Sequence, residues 1–492
     1  VHSIQREASL AGSAKGPVMC ERLLYVNGEW VETRRRLEVR NKYDGEVLGT
    51  VPICDPDLLD RAVEGARQVF PRLCGLPAHR RAGILDRVAR GIQERSEEFA
   101  RTLAAEAGKA LKFARAEVER AVSTFRLGAE EACRLGGEVV PLDALPSGEG
   151  FFGFWQRRPV GPVAAITPFN FPLNLVAHKL APALAAGCPV VLKPASATPL
   201  SALLLAEILA ESELPAGAVQ VLVGEGRTLG EALVSDARIA KVSFTGSREV
   251  GLALTRQVGI KRLTLELGNT SPVILAEDAD LELAARRCAL GAFANSGQVC
   301  ISVQRIYVPR SRKEEFLEAF REATRALVVG DPLDEQVDVG PMIDLSEALR
   351  LEEWVEEACG AGALLVEGGR REGAVFWPTV LVDPAPEAKV VCREVFGPLA
   401  SVIGVEDFEE GLERANAGDF GLQASVFTRD LQRAFAAVKA LDFGGVIVNE
   451  SPAWRADHMP YGGNRQSGLG REGVRYAIED MTSLQMVVMR TS

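Results

Sequence analysis

Three features of the sequence predict an α/β protein built on two successive sheets with helices packed against both. Between residues 160 and 267, short apolar runs at 163–166, 189–192, 219–223, 241–244 and 263–267 alternate with segments of helical pattern. Strands spaced by helices of about a dozen residues form parallel βαβ units, so this half reads as a Rossmann-like sheet that receives a dinucleotide. After Gly268 the alternation starts again and runs to about Ser467. The length of 492 residues fits such a division, because one hydrophobic core seldom organises more than about 250–300.

The elements follow in order. Residues 1–20 mix charge and polarity without the apolar centre of a secretion signal and read as a flexible arm. Leu24-Tyr25-Val26 and Glu29-Trp30 flank Asn27-Gly28, a dipeptide that favours a tight hairpin turn. From Asp55 to Cys133 apolar residues recur at spacings of three and four, the mark of packed helices, with Asp57 available as a cap before Leu58. Between 139 and 158 the chain turns to Gly, Pro and aromatics, ending in Phe151-Phe152-Gly153-Phe154-Trp155. An uncovered aromatic ribbon invites association, so an oligomer is expected.

Composition removes several function classes. With 56 basic and 67 acidic residues the net charge is −11, which disfavours nucleic acid and anionic membrane surfaces as partners. No stretch reaches the roughly 18 apolar residues of a membrane span. Nine cysteines, an odd number without a C-x-x-C pair, argue against a disulfide framework and a structural metal site. The expected compartment is the cytoplasm.

One of the nine cysteines stands apart. In Phe293-Ala294-Asn295-Ser296-Gly297-Gln298-Val299-Cys300-Ile301-Ser302, small and turn-forming residues precede a thiol that a strand-like run at 303–308 then follows. A lone cysteine is more often a small buried hydrophobe. A tight bend is nevertheless a suitable place to present a nucleophile, and Cys300 is the candidate. The stretch resembles the nucleophile motif of the NAD(P)-dependent aldehyde dehydrogenase superfamily, Phe-x-Asn-x-Gly-Gln-x-Cys. Further segments resemble the same family from about Leu24 to Val488.

The resemblance implies a cofactor unit at 21–138 and 159–267 and a catalytic unit at 268–467. Strands at 139–158 and 480–492 would bridge subunits of a homodimer or homotetramer. Ile166-Thr167-Pro168-Phe169-Asn170-Phe171-Pro172 resembles the family's Pro-Trp-Asn-Phe-Pro segment, with Phe169 where tryptophan is common. Attack of a thiolate on an aldehyde puts negative charge on oxygen, and preorganised donors lower that barrier. The Asn170 amide and the Cys300 backbone N–H are those donors, while Ile166, Thr167, Pro168 and Phe169 border the cofactor. Lys193, in a segment like the family's cofactor loop, would bond the adenine ribose or a phosphate on it.

Three positions after Lys193, many NAD-preferring members carry a glutamate that repels a 2′-phosphate. Ser196 stands there instead, so NADP is expected with or without NAD. Gly226 and Gly230 look like a loop over the adenine, although a glycine-rich loop alone is weak evidence. Phe244-Thr245-Gly246-Ser247 lies between a strand and a helical run, where small residues and free helix N–H groups suit a pyrophosphate.

Glu266, between two leucines, is either paired or held for acid-base work. By resemblance it activates water against a thioester, with Leu267 and Gly268 beside the cofactor and Asn269 replacing the usual glycine. Glu394 would hold the nicotinamide ribose and Phe396 would pack near the ring. Arg455 falls where family members line the aldehyde tunnel and is the best candidate for an anionic tail, joined by Arg120, His178 and His458. Arg115 and Arg126 are weaker candidates on helix faces. For each histidine a packing role is as probable as a functional one.

Read together, the resemblance implies oxidation of a small polar, anionic-leaning aldehyde to its carboxylate. Candidates include lactaldehyde, glyceraldehyde 3-phosphate, phosphonoacetaldehyde and succinate semialdehyde. Two rivals stay open, a non-catalytic relative of the same fold and an esterase using the same thiol.

Overall fold

The computed structural model describes residues 20–491, so residues 1–19 of the expected arm lie outside it. Among the described residues the protein is α/β, with two large sheets, two three-stranded ones and two two-stranded pairs. The hairpin forms as the Asn-Gly dipeptide dictates: strands Leu24–Val26 and Glu29–Val31 flank Asn27 at φ 55° and Gly28 at φ 85°. Four helices then run Pro56–Cys74, Ala78–Glu94, Ser96–Ala107 and Leu111–Ala132. In the first, Leu58, Ala62, Val63, Ala66, Val69 and Leu73 are buried, one face of a 3.6-residue period. Its cap is Asp55 rather than Asp57, because Pro56 occupies the first helical position and Asp55 accepts the Leu58 N–H at 2.8 Å.

The first large sheet runs in spatial order Gly468–Leu469, Arg262–Glu266, Lys241–Thr245, Val163–Ile166, Val190–Lys193, Val219–Val221, then the N-terminal hairpin. Its five inner strands are parallel. Helices cover both faces, so these strands are buried nearly throughout, the polar Gln220, Lys241, Ser243 and Thr264 included. Strand order reverses between Val163–Ile166 and Lys241–Thr245, and in such sheets a crevice opens beyond the strand ends at that point.

The second large sheet orders Leu364–Glu367, Thr379–Val382, Leu399–Val405, Arg305–Pro309, Pro272–Leu275, Gln423–Phe427 and Gly445–Val448. The strand expected at 303–308 begins at Arg305, since the chain from Gln298 to Gln304 forms turns that hold the cysteine. Strand Gly468–Leu469 returns to the first sheet, where Gly468 lies opposite Glu266. Gly137–Val140, Phe151–Pro159 and Thr482–Arg490 make the small antiparallel sheet. No helix among the described residues is long and apolar enough to cross a membrane.

Candidate active site

The bend before Cys300 is built residue by residue. Helix Leu281–Phe293 ends, and Asn295, Ser296 and Gly297 follow with φ of 53°, 54° and 66°. Left-handed backbone at a non-glycine residue costs of order 1–3 kcal/mol, so each side chain has to hold its place. Asn295 Nδ2 donates to the carbonyls of Asn170 and Gln298 at 3.2 and 3.3 Å. Ser296 Oγ donates to Gly340 O at 2.8 Å, and Gln298 Oε1 accepts the Ile343 N–H at 2.9 Å. At Gly297 a Cβ would stand 2.1 Å from the Gly397 carbonyl oxygen, which excludes any other residue. The Asn-Ser-Gly-Gln run is thus the set of locks on this bend.

Asn170 meets the bend from the first sheet. It lies beyond strand Val163–Ile166, and its Nδ2 donates to Gln298 O at 3.0 Å. An amide nitrogen carries two hydrogens, so a second donor remains. The Cys300 backbone N–H has no acceptor among the described residues. The loop is clamped by Glu117, whose carboxylate takes the N–H groups of Leu173 and Asn174 at 2.9 and 3.0 Å and pairs with buried Lys109. Lys109 Nζ in turn sits 3.7 Å from the centre of the Phe171 ring.

Asn170, Cys300 and Glu266 open onto one cavity of about 290 Å³. Both Glu266 carboxylate oxygens are buried without a hydrogen-bond partner. Burial, and then the neighbouring charge of Glu472, raise its pKa well above the usual carboxylate range. Burial acts on Glu472 in the same sense, but Lys179 at 3.0 Å and Arg455 at 3.6 Å outweigh it and hold Glu472 ionised. Two carboxyl groups are thereby driven apart, the pattern that separates acid from base. Cys300 Sγ lies 3.1 Å from Tyr461 Oη, and burial pushes its pKa up to about 12. The thiolate that nucleophilic attack requires is therefore not the resting form.

Around the strand-end crevice stand polar groups that the protein leaves unengaged. The Thr167 and Thr245 hydroxyls are buried without partners. Lys193 is 4% exposed, meets only the Pro194 carbonyl at 3.3 Å, and burial lowers its pKa to about 8. Ser247 caps helix Arg248–Thr255. A Cβ on Gly226, at the start of helix Gly226–Ser235, would meet nothing within 4 Å, while Gly230 on the same helix faces Ile166.

Glu394 accepts the Asn269 N–H at 3.1 Å, and burial pushes its pKa up to about 7. Its carboxylate would touch a Cβ on Gly268 at 2.3 Å. Phe169 and Phe396 pack edge to face at 5.7 Å, and Phe244 fills the space beneath Gly246. Orphan hydroxyls, an unpaired ammonium and a helix N-terminus fit a ligand bearing phosphates and ribose hydroxyls. Ser196 Oγ donates to Gly224 O at 2.6 Å, so its proton is committed within the protein. Asn269, the departure from glycine, braces the second sheet by donating to Gln423 O at 2.9 Å.

The candidate substrate residues divide. Arg455 is buried, lines the cavity and leaves Nε without a partner. Arg120 also lines the cavity, though Asp457 holds it at 2.7 Å. His178 is buried outside the cavity lining, 2.8 Å from Asp457 Oδ1, and burial and Arg455 lower its pKa. His458 is exposed and lies outside the cavity lining. Arg115 pairs with Glu97 and Glu335, and Arg126 bonds Gln93, both at the surface. Sequence reasoning assigned no role to Asp457, Glu472, Lys179 or Tyr461. Each acts through a partner distant in sequence; Asp457 and Tyr461 fall inside segments that resemble the family, Trp454 to His458 and Pro460 to Gly468, but the motifs do not mark these two side chains individually.

A family model described as the aldehyde dehydrogenase family matches residues 30–487. The 3-sulfolactaldehyde dehydrogenase of Priestia aryabhattai is 46% identical over 466 residues, spanning 95% of this chain and 97% of its own. Among solved structures, aldehyde dehydrogenase 21 from Physcomitrella patens, in complex with the reaction product succinate, is 41% identical with a TM-score of 0.94. That match covers 96% of this chain and 99% of the other. The glyceraldehyde-3-phosphate dehydrogenase GapN of Methanocaldococcus jannaschii, complexed with NADP, is 39% identical with a TM-score of 0.90, covering 93% and 100%.

The half-buried thiol makes a measurable claim. Without cofactor, alkylation of Cys300 by iodoacetamide, read by peptide mass spectrometry, should be slow at neutral pH and still climbing beyond the ordinary thiol range near about 8.5. A plateau below that pH would contradict the environment described.

Proposed function

The chain belongs to the aldehyde dehydrogenase family, and on that premise we propose that it oxidises a small polar, anionic aldehyde to its carboxylate with NADP or NAD. The observation that carries this reading is the convergence of Cys300, Asn170 and Glu266 on one cavity that also contains the buried, incompletely bonded Arg455. A guanidinium with a spare donor suits a carboxylate, sulfonate or phosphate tail. The similarity to a 3-sulfolactaldehyde dehydrogenase supports the same class. Arg120 contributes positive potential at the cavity wall; His178 and His458 are left out of the substrate contacts.

The residues act in sequence. Cys300 loses its proton and attacks the aldehyde carbon, and the resulting oxyanion takes hydrogen bonds from Asn170 Nδ2 and the Cys300 N–H. Bound NAD(P)+ supplies the acceptor for the hydride whose loss leaves an acyl thioester on Cys300. Glu266 then removes a proton from water, the hydroxide adds to the thioester, and the carboxylate leaves as the thiol is restored. The Thr245 to Ser247 turn would hold the pyrophosphate, Lys193 the adenine ribose side, and Glu394 with Phe396 and Phe169 the nicotinamide ribose and ring. Ser196 brings no negative charge against a 2′-phosphate, which supports use of NADP.

The unit boundaries 21–138 with 159–267 and 268–467 follow this division of labour, with 139–158 and 480–492 bridging subunits. We assign a homodimer or homotetramer. The small sheet exposes Val139, Phe152, Leu484 and Val488, while strand Gly445–Val448 ends the second sheet beside exposed Leu431, Phe435 and Val438. Unpaired edges and apolar stripes of this kind call for a partner surface. The cysteines outside residue 20 are all free, in keeping with the cytoplasm.

The direct test follows NAD(P)H absorbance with short neutral and anionic aldehydes beside Cys300→Ala. Turnover by the wild type alone supports the assignment, and equal turnover by the variant defeats it. In Glu266→Gln the first turnover should persist while steady-state rate falls about 100-fold or more. Because Glu266 holds its proton at low pH, wild-type steady-state rate should rise with pH, and the variant should lose that rise. Arg455→Leu should raise KM for anionic aldehydes about tenfold with little change for neutral ones. Ser196→Glu should lower kcat/KM for NADP relative to NAD by at least about tenfold.

A further inference from the structure

Cys300 Sγ has a hydrogen-bond partner that the mechanism above leaves unused. The Tyr461 hydroxyl lies 3.1 Å away, on a ring only 3% exposed. Its backbone is fixed by an antiparallel bridge, Tyr461 N–H to Glu472 O at 3.1 Å and Glu472 N–H to Tyr461 O at 2.6 Å. The Arg455 guanidinium lies over the ring, 3.7 Å from its centre. A phenylalanine would fill the same space and receive the same cation, so packing does not require the oxygen. Burial holds the phenol well above its ordinary pKa, and the hydroxyl stays a donor across the working pH range.

We propose that Tyr461 is a catalytic residue, its hydroxyl donating to the Cys300 sulfur and stabilising the thiolate that attacks the aldehyde. The inference rests on Cys300 being the nucleophile. In the resting thiol either group can donate; once the sulfur is ionised only the phenol can, and a hydrogen bond to an anion is roughly twice as strong as a neutral one. The sulfur proton leaves to solvent water, so Glu266 is not required for the first turnover and remains available for hydrolysis of the thioester. Tyr461 keeps its own proton throughout. When the carbon–sulfur bond forms the sulfur becomes neutral, and the bond weakens again.

Losing this donor should cut the thiolate fraction about tenfold, but a more basic thiolate is also a better nucleophile, with a Brønsted slope of about 0.4–0.5, leaving a net loss of roughly threefold. The experiment compares wild type, Tyr461→Phe and Tyr461→Leu by iodoacetamide alkylation of Cys300 across pH and by first-turnover NAD(P)H formation. In Tyr461→Phe both rates should fall about threefold at every pH below the thiol's midpoint, with unchanged melting temperature and aldehyde KM. A Tyr461→Phe alkylation profile that overlays the wild type overturns the proposal. So does a loss confined to Tyr461→Leu, which would assign the effect to the ring. Cys300→Ala separates the two levels: activity in that variant removes the nucleophile itself, whereas a silent Cys300→Ala with an unaltered Tyr461→Phe removes only the role of the phenol.

Discussion

The Gln298 carbonyl accepts Asn170 Nδ2 from beyond the first sheet and Asn295 Nδ2 from the bend of the second. Through these two bonds the donor and the thiol are fixed in one frame, although 130 residues of sequence separate Asn170 from Cys300. The frame stands on three successive left-handed residues wedged against the Gly397 carbonyl. Such backbone is costly, and it persists because side chains on every side over-determine it. Precision at the reacting atoms matters, since a misplacement of about 1 Å can cost a hundredfold in rate.

Around that frame the electrostatics are arranged by unequal pairing. Lys179 and Arg455 both favour Glu472, and neither forms a direct ion pair with Glu266. A buried carboxylate left without a partner avoids the penalty of several kcal/mol by keeping its proton. One glutamate is thus a permanent anion that anchors cations, and the other is a group whose proton is free to move. The same logic applies to Glu394, which has a single backbone donor and a raised pKa.

The main features of the fold were legible because they follow from local periodicity. Spacings of three and four placed the early helices, and continuous apolar runs placed the parallel strands to within a residue or two. Cys300, Asn170 and Glu266 were singled out from motifs whose chemistry is local to each bend, and the structure brings all three to one cavity. Asp457 was not, because its role lies in gathering Arg120, His178 and Asn174 from other helices. Glu472 was hidden for the same reason, and Tyr461, although inside the glycine motif 460–468, received no role because its partners Cys300 and Arg455 lie on other segments. For the histidines, residue type carries no information about which side of a wall a ring occupies, and the structure places His178 against Asp457 outside the cavity lining and His458 at the surface. Ser196 was read for its missing charge, while its bond to Gly224 depends on a turn that sequence does not display.

The protonated state of Cys300 has a consequence for endurance. Peroxide attacks thiolates, and oxidation proceeds from sulfenic acid to irreversible sulfinic and sulfonic acids. A half-buried sulfur held in the thiol form is attacked slowly while the site is empty, and, if Cys300 is the nucleophile proposed above, reacts chiefly during turnover. The environment that keeps the sulfur protonated in the empty site therefore lengthens its working life, and oxidative damage would accumulate with cycles completed rather than with time elapsed.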